Sequence, residues 1–168
     1  MRMIRVGEGT VGEVGYETLF GRQSFIKDYH KSFSDHPNIT ITRGPLKSSA
    51  AGAYQIMGYT WNDPKMLSYR KKYGIGDFSP KSQDEFCVLI LKYKRKGALE
   101  LIIDGDIDGA LDILSYEWAS LPPARYPQPT KSKSEVMSLY NKYLLEEISG
   151  ETDLHLSIGY IKQVYNGV

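Results

Sequence analysis

The chain has a single cysteine, Cys87, no long apolar run and almost no net charge, and each shortage removes a class of function. One cysteine forms no intramolecular disulfide and no cysteine-based metal site, and the apolar neighbours Phe86, Val88, Leu89, Ile90 and Leu91 mark it as a core thiol. No stretch approaches the roughly 20 apolar residues of a membrane span, and no charged segment followed by an apolar one opens the chain as a secretory signal would. A product that is soluble where it is made, without membrane insertion, is expected. The formal net charge of +1 gives no global field toward nucleic acid. His30, His36 and His155 have no zinc-like spacing, and no Gly-x-Ser-x-Gly, Walker or dinucleotide fingerprint is present. Metal, acyl-transfer and nucleotide chemistry are therefore not expected, which leaves carboxylates. No cofactor is called for.

What the chain does have is tyrosine: 13, against five Phe and two Trp. Rings that are apolar on the face and hydrogen-bonding at the tip suit sugar clefts, and protein interfaces equally. With 168 residues, 41% hydrophobic and 24% charged, one soluble domain is the default.

Glu8 stands where a short apolar segment (Met1, Ile4, Val6) meets the glycines at 7, 9, 12 and 15, which cannot continue a helix. A carboxyl half-buried at the end of an element, beside a loop, has its pKa raised and can act as a general acid near neutral pH; a solvated glutamate at a fraying helix end is the plainer alternative. Alternation in Tyr16–Phe20, Ser24–Ile26 and Ile39–Thr42 predicts a small antiparallel sheet or hairpin near the N-terminus. Helices broken near Asp63-Pro64 follow. Ser79-Pro80 then opens a strong helix with Phe86, Leu89, Ile90 and Tyr93 as its buried stripe, ended by Gly97. Further helices are expected from Asp106 to Trp118 and from Ser134 to Ile148. The class is α+β, mostly helical.

Asp104-Gly105-Asp106-Ile107-Asp108-Gly109 has the opening of a calcium loop, but its closing position is Ser115 instead of a bidentate Glu. A turn feeding an acidic first helical turn fits the same residues.

Five strings occur in one order: Gly7-Glu8-Gly9-Thr10, Phe33-Ser34-Asp35-His36-Pro37, the run from Lys47 to Gln55, Asp77 to Asp84, and Trp118-Ala119-Ser120-Leu121-Pro122. The combination resembles the phage lambda endolysin family, over about residues 7–145. The resemblance implies a lysozyme-like fold, with residues 1–150 as the catalytic domain and 151–168 as a C-terminal extension able to pack back or to meet a partner. It implies lytic transglycosylase activity on bacterial peptidoglycan, held in the host cytoplasm until release to the wall, by a protein taken as a monomer. Glu8 matches the family's catalytic glutamate, Tyr54 and Gln55 match cleft-lining groups that bond the sugar, and Tyr126 matches a tyrosine on the opposite wall. Asp35 and His36 match the loop beneath the cleft, as sugar contacts or as loop structure. A hydrolytic muramidase would need a second carboxylate, with Glu13, Glu17, Asp28 and Asp35 as the nearest candidates; a non-catalytic wall-binding module is the third reading. The resembling enzymes have a longer helix before the glutamate.

Overall fold

The segment opened by Ser79-Pro80 becomes the helix around which the others gather. The computed structural model, which describes all 168 residues, has eight α-helices and one short hairpin. The helices are α1 (Arg2–Glu8), α2 (Gly58–Trp61), α3 (Pro64–Lys72), α4 (Pro80–Leu89), α5 (Ala98–Ile103), α6 (Ile107–Leu114), α7 (Lys133–Ile148) and α8 (Tyr160–Asn166). Ser79 caps α4 by accepting from the Ser82 amide at 3.4 Å, and every residue from Ser82 to Leu89 is buried. A helix buried on all sides needs its polar residues paired. Gln83 meets that need by bonding three segments at once: its Oε1 accepts from the Ala53 amide at 2.8 Å, and its Nε2 donates to the carbonyls of Tyr16 at 2.9 Å and Phe78 at 2.8 Å. Beyond Leu89 the helix widens into a π turn over Ile90–Lys94. Trp61, Phe78 and Phe86 stack edge to face on it, with ring centroids 4.7 and 5.0 Å apart.

The antiparallel pairing exists, but later and shorter than alternation suggests. β1 (Ile41–Arg43) pairs with β2 (Leu46–Ser48) in the register Ile41 to Ser48. Tyr16 and Glu17 lie instead in a 3-10 turn over Glu13–Glu17, and Thr18 and Ser24 form only an isolated bridge. Most positions of the two strands are exposed, so β2 carries one apolar residue and no burial pattern from which it could be read. Gly97, expected as a stop, also begins α5, and α6 ends at Leu114, where a turn takes over to Trp118. Asp106 caps α6 by accepting from Gly109 N at 2.9 Å, Asp108 pairs with Lys133 at 2.7 Å, and Asp112 pairs with Arg125. The acidic stretch is thus a cap with two ion pairs. Residues 151–168 pack back: Tyr160 and Val164 of α8 are buried against α4, while Ile158 is fully exposed.

An apolar cavity of about 440 Å³ lies between α1, α4, α5, α6 and α7, lined among others by Ile4, Val88, Leu99, Leu111 and Tyr143. Glu8 does not reach it. Replacing Gln83 with Leu strands one buried amide and two buried carbonyls, which is expected to lower unfolding stability by roughly 3 kcal/mol or more. Denaturant titration measures this, and a loss below about 1 kcal/mol would contradict the three-way bond.

Candidate active site

α1 ends at Glu8 because Gly9 takes a left-handed conformation, φ 71°, and returns its amide to the carbonyls of Arg5 and Val6. The chain then turns sharply, held from inside by Arg5. Its guanidinium donates to the carbonyls of Thr10 at 3.3 Å and Gly12 at 2.8 Å, so the loop after Glu8 is fastened to the helix that carries it. The Thr10 hydroxyl donates to Ala53 O at 2.5 Å, which sets the turn bearing Tyr54 and Gln55 against that loop.

The Glu8 carboxylate accepts one hydrogen bond, from Ser120 Oγ at 2.7 Å. Burial pushes its pKa up, and the Ser120 bond, which favours the charged form, offsets part of the rise. Gly7 makes the approach possible: a Cβ there would stand 2.4 Å from Ser120 Oγ. Ser120 is in turn held by its carbonyl, which accepts from Lys131 N at 3.0 Å. Trp118 Nε1 donates to Tyr54 O at 2.9 Å, so the two segments that flank Glu8 are tied to each other.

The residues expected at the site divide into two groups. Gln55 sits at φ 47°, a strained backbone for a residue other than glycine, with its amide nitrogen donating to the carbonyls of Thr18 and Gly52 at 3.1 and 3.0 Å. That fixes the side chain and leaves its amide oxygen free to accept. Tyr126 has a half-exposed ring, steadied by its hydroxyl on Tyr116 O at 3.1 Å, on the segment that also carries Ser120. Tyr54 is a correction. Its ring is fully buried and its hydroxyl donates to the Asp84 carboxylate at 2.5 Å, because a phenol inside the core needs a buried acceptor. It lines no cleft and supports the wall from behind.

His36 is also inside. Its Nδ1 accepts from Asn38 N at 3.1 Å and its Nε2 donates to Ile56 O at 2.8 Å, which assigns the Nε2–H tautomer and leaves no ring nitrogen for a ligand. Burial keeps its pKa below the ordinary histidine value. Asp35 accepts from Trp61 Nε1 at 2.7 Å and from the His36 amide at 2.8 Å, a loop-building role. Ser120 was visible in the sequence within the Trp118–Pro122 string, but nothing there assigned it a task.

None of the other acids near Glu8 in sequence is idle. Glu13 binds His155 Nε2 at 2.9 Å, Glu17 accepts from Ser24 Oγ at 2.6 Å with Lys27 at 3.4 Å, and Asp28 accepts from Ser24 N at 2.8 Å. No group of three or more His, Cys, Asp or Glu is arranged to hold a metal. The arrangement provides one carboxyl that keeps its proton to a higher pH than a free glutamate and can hand it to an oxygen placed beside it.

A folded-state pKa above the unfolded one means that the native protein binds more protons, so the stability attached to Glu8 falls as pH rises through that range. Glu8→Gln is therefore expected to melt above the wild type at pH 7 and together with it well below pH 4. Thermal melts across that range check it, and equal melting temperatures at pH 7 would contradict the burial of the charge.

Comparison with known proteins gives a consistent frame. A family model for Endolysin matches residues 1–145. The endolysin of Escherichia phage lambda is 44% identical over 115 residues, 68% of this chain and 65% of that protein, so the aligned stretch spans just under two thirds of that relative. The endolysin of Escherichia phage P2 is 31% identical over 149 residues, 82% of this chain and 86% of its own. Among solved structures, bacteriophage lambda lysozyme complexed with a chitohexasaccharide superposes with a TM-score of 0.68 at 36% identity, covering 84% of this chain and 88% of that one. A second structure, lysozyme from bacteriophage lambda, gives a TM-score of 0.64 at 36% identity. The fold is that of the lambda lysozyme. With a half-buried glutamate at the end of α1 and a family match over residues 1–145, the chain belongs to the endolysin family.

Proposed function

We propose that the protein cleaves the glycan strands of bacterial peptidoglycan as a lytic transglycosylase, cutting the β-1,4 bond between N-acetylmuramic acid and N-acetylglucosamine. The observation that carries this reading is the half-buried carboxyl of Glu8 at the end of α1, bonded only by Ser120 and with its pKa pushed up by burial, while the acids nearest it in sequence are engaged elsewhere. Protonated Glu8 gives its proton to the glycosidic oxygen as the C1–O bond breaks and positive charge develops on the muramoyl ring. The N-acetylglucosamine unit leaves as an alcohol. The Glu8 carboxylate then takes the proton of the muramoyl 6-hydroxyl, whose oxygen bonds to C1 and closes a 1,6-anhydro ring. Glu8 ends protonated, ready for the next strand, and no water enters.

Gln55 and Tyr126 supply the sugar contacts, one through its free amide oxygen and the other through its exposed ring face. No cofactor takes part. No helix is long and apolar enough to cross a membrane, and the site of action is the wall glycan.

The first test is mass spectrometry of muropeptides released from purified peptidoglycan. Wild-type products one water lighter than hydrolysis products, with a rate lowered at least about hundredfold by Glu8→Gln, are expected. Reducing-end muramic acid would instead establish hydrolysis through a second carboxylate, and the absence of release would favour a wall-binding module. A second test uses Ser120→Ala. Removing a donor that favours the charged form raises the Glu8 pKa, so the alkaline limb of the kcat/KM profile is expected to move to higher pH; an unmoved limb would show that Ser120 does not tune the acid.

A further inference from the structure

The chain has seven arginines, and five of them, Arg2, Arg5, Arg70, Arg95 and Arg125, lie within 4 Å of a carboxylate. Arg22 and Arg43 do not, and the two stand together. Arg43, on β1, donates to the carbonyl of Gly21, which clamps the middle of the turn Leu19–Gln23. The turn is closed by Arg22 N on Leu19 O at 2.9 Å and Leu19 N on Gln23 O at 2.7 Å. Arg22 is exposed at its tip, with a guanidinium that bonds no protein group.

Two further facts make that position more than a solvated side chain. Arg22 has φ 72°, a left-handed backbone in which glycine would sit more easily, so the turn holds an arginine where its geometry does not favour one. The guanidinium also points back over the site: a Cβ on Gly9, the residue after Glu8, would lie 3.7 Å from Arg22 Nη2. The acids that could neutralise it are engaged with His155, Ser24 and Lys27. Glu8 is not its partner either, since burial and the Ser120 hydroxyl account for the state of that carboxyl.

An unpaired guanidinium beside Gly9, the residue that follows Glu8, is matched to a ligand carboxylate, which its planar fork binds through two parallel hydrogen bonds. The sugar rings of a glycan strand are neutral. The carboxylates of peptidoglycan hang from C3 of muramic acid, on the lactyl ether itself or on the stem peptide attached to it. We propose that Arg22 binds a carboxylate of this muramoyl branch and so makes the site prefer muramic acid glycans over neutral ones. This rests on the peptidoglycan reading above and deepens it.

The test is binding, measured by calorimetric titration of the full chain carrying Glu8→Gln, with and without Arg22→Gly. Three probes are used: glycan strands bearing stem peptides, the same strands after an amidase has removed the peptides and freed the lactyl carboxylate, and neutral chitohexaose. Because glycine suits the left-handed backbone, the added change is expected to leave the melting temperature equal or higher. It is expected to weaken binding of the peptide-bearing strands about tenfold, the loss of one charge-assisted pair, and to change chitohexaose binding less than about twofold. Stripped strands that weaken like the first probe assign the lactyl carboxylate, and stripped strands that behave like chitohexaose assign the stem peptide. Equal weakening for all three probes, or no weakening for the first, overturns the proposal. Cleavage by the wild type is scored separately: a protein that binds in this pattern and cuts nothing would sink the transglycosylase reading and leave this one standing.

Discussion

A buried carboxylate, Asp84, organises the half of the molecule that supports Glu8. It lies on α4 and accepts from Tyr54 Oη at 2.5 Å, Tyr16 Oη at 2.9 Å and the His155 amide at 2.6 Å. Burial raises its pKa and these donors offset the rise, the ordinary condition under which a carboxylate survives inside a protein. Burial likewise pushes both tyrosine hydroxyls up, so they remain donors at any physiological pH. Three segments distant in sequence, the 3-10 turn, the turn at residue 54 and the C-terminal stretch, are thereby referred to one point on one helix. Arg5 extends the network to α1 through Tyr16 Oη at 3.2 Å.

The dependence matters because α1 has only seven residues, too few to form an isolated helix in water. Its orientation, and with it the aim of Glu8, comes from tertiary contacts. Arg2 pairs with Glu146 at 2.7 Å and Asp153 at 2.8 Å and lies over the Tyr143 ring at 4.3 Å, Arg5 holds the loop that follows, and Ser120 meets the carboxyl itself. A carboxyl carried on so short a support is rigid only as far as its neighbours are.

The glycines around Glu8 left two environments open, a half-buried carboxyl and a solvated helix end, and it was the endolysin resemblance that singled the residue out; α4 and α7 were legible because their caps and apolar spacing agree. Tyr54 was misplaced because a tyrosine's sequence context does not distinguish a hydroxyl facing sugar from one facing a buried aspartate 30 residues away. Asp84 itself reads as an ordinary helical acid until the fold gathers its donors. The hairpin was displaced because exposed three-residue strands carry no burial pattern, and α5 was hidden because Gly97 serves both as the end of one helix and the start of the next. What escaped the sequence is long-range pairing of polar groups.

Part of what fixes α1 comes from far along the chain, 145 to 149 positions away for Arg2 with Glu147 and Glu151. During synthesis Arg2, on the helix bearing Glu8, is made 145 residues or more before these partners exist. Contacts of such separation form late, after the local helices. A chain that ends before residue 146 therefore carries the Gly7-Glu8-Gly9-Thr10 sequence and its Ser120 partner but lacks the ion pairs of Arg2 with Glu146, Glu147 and Asp153 that brace α1.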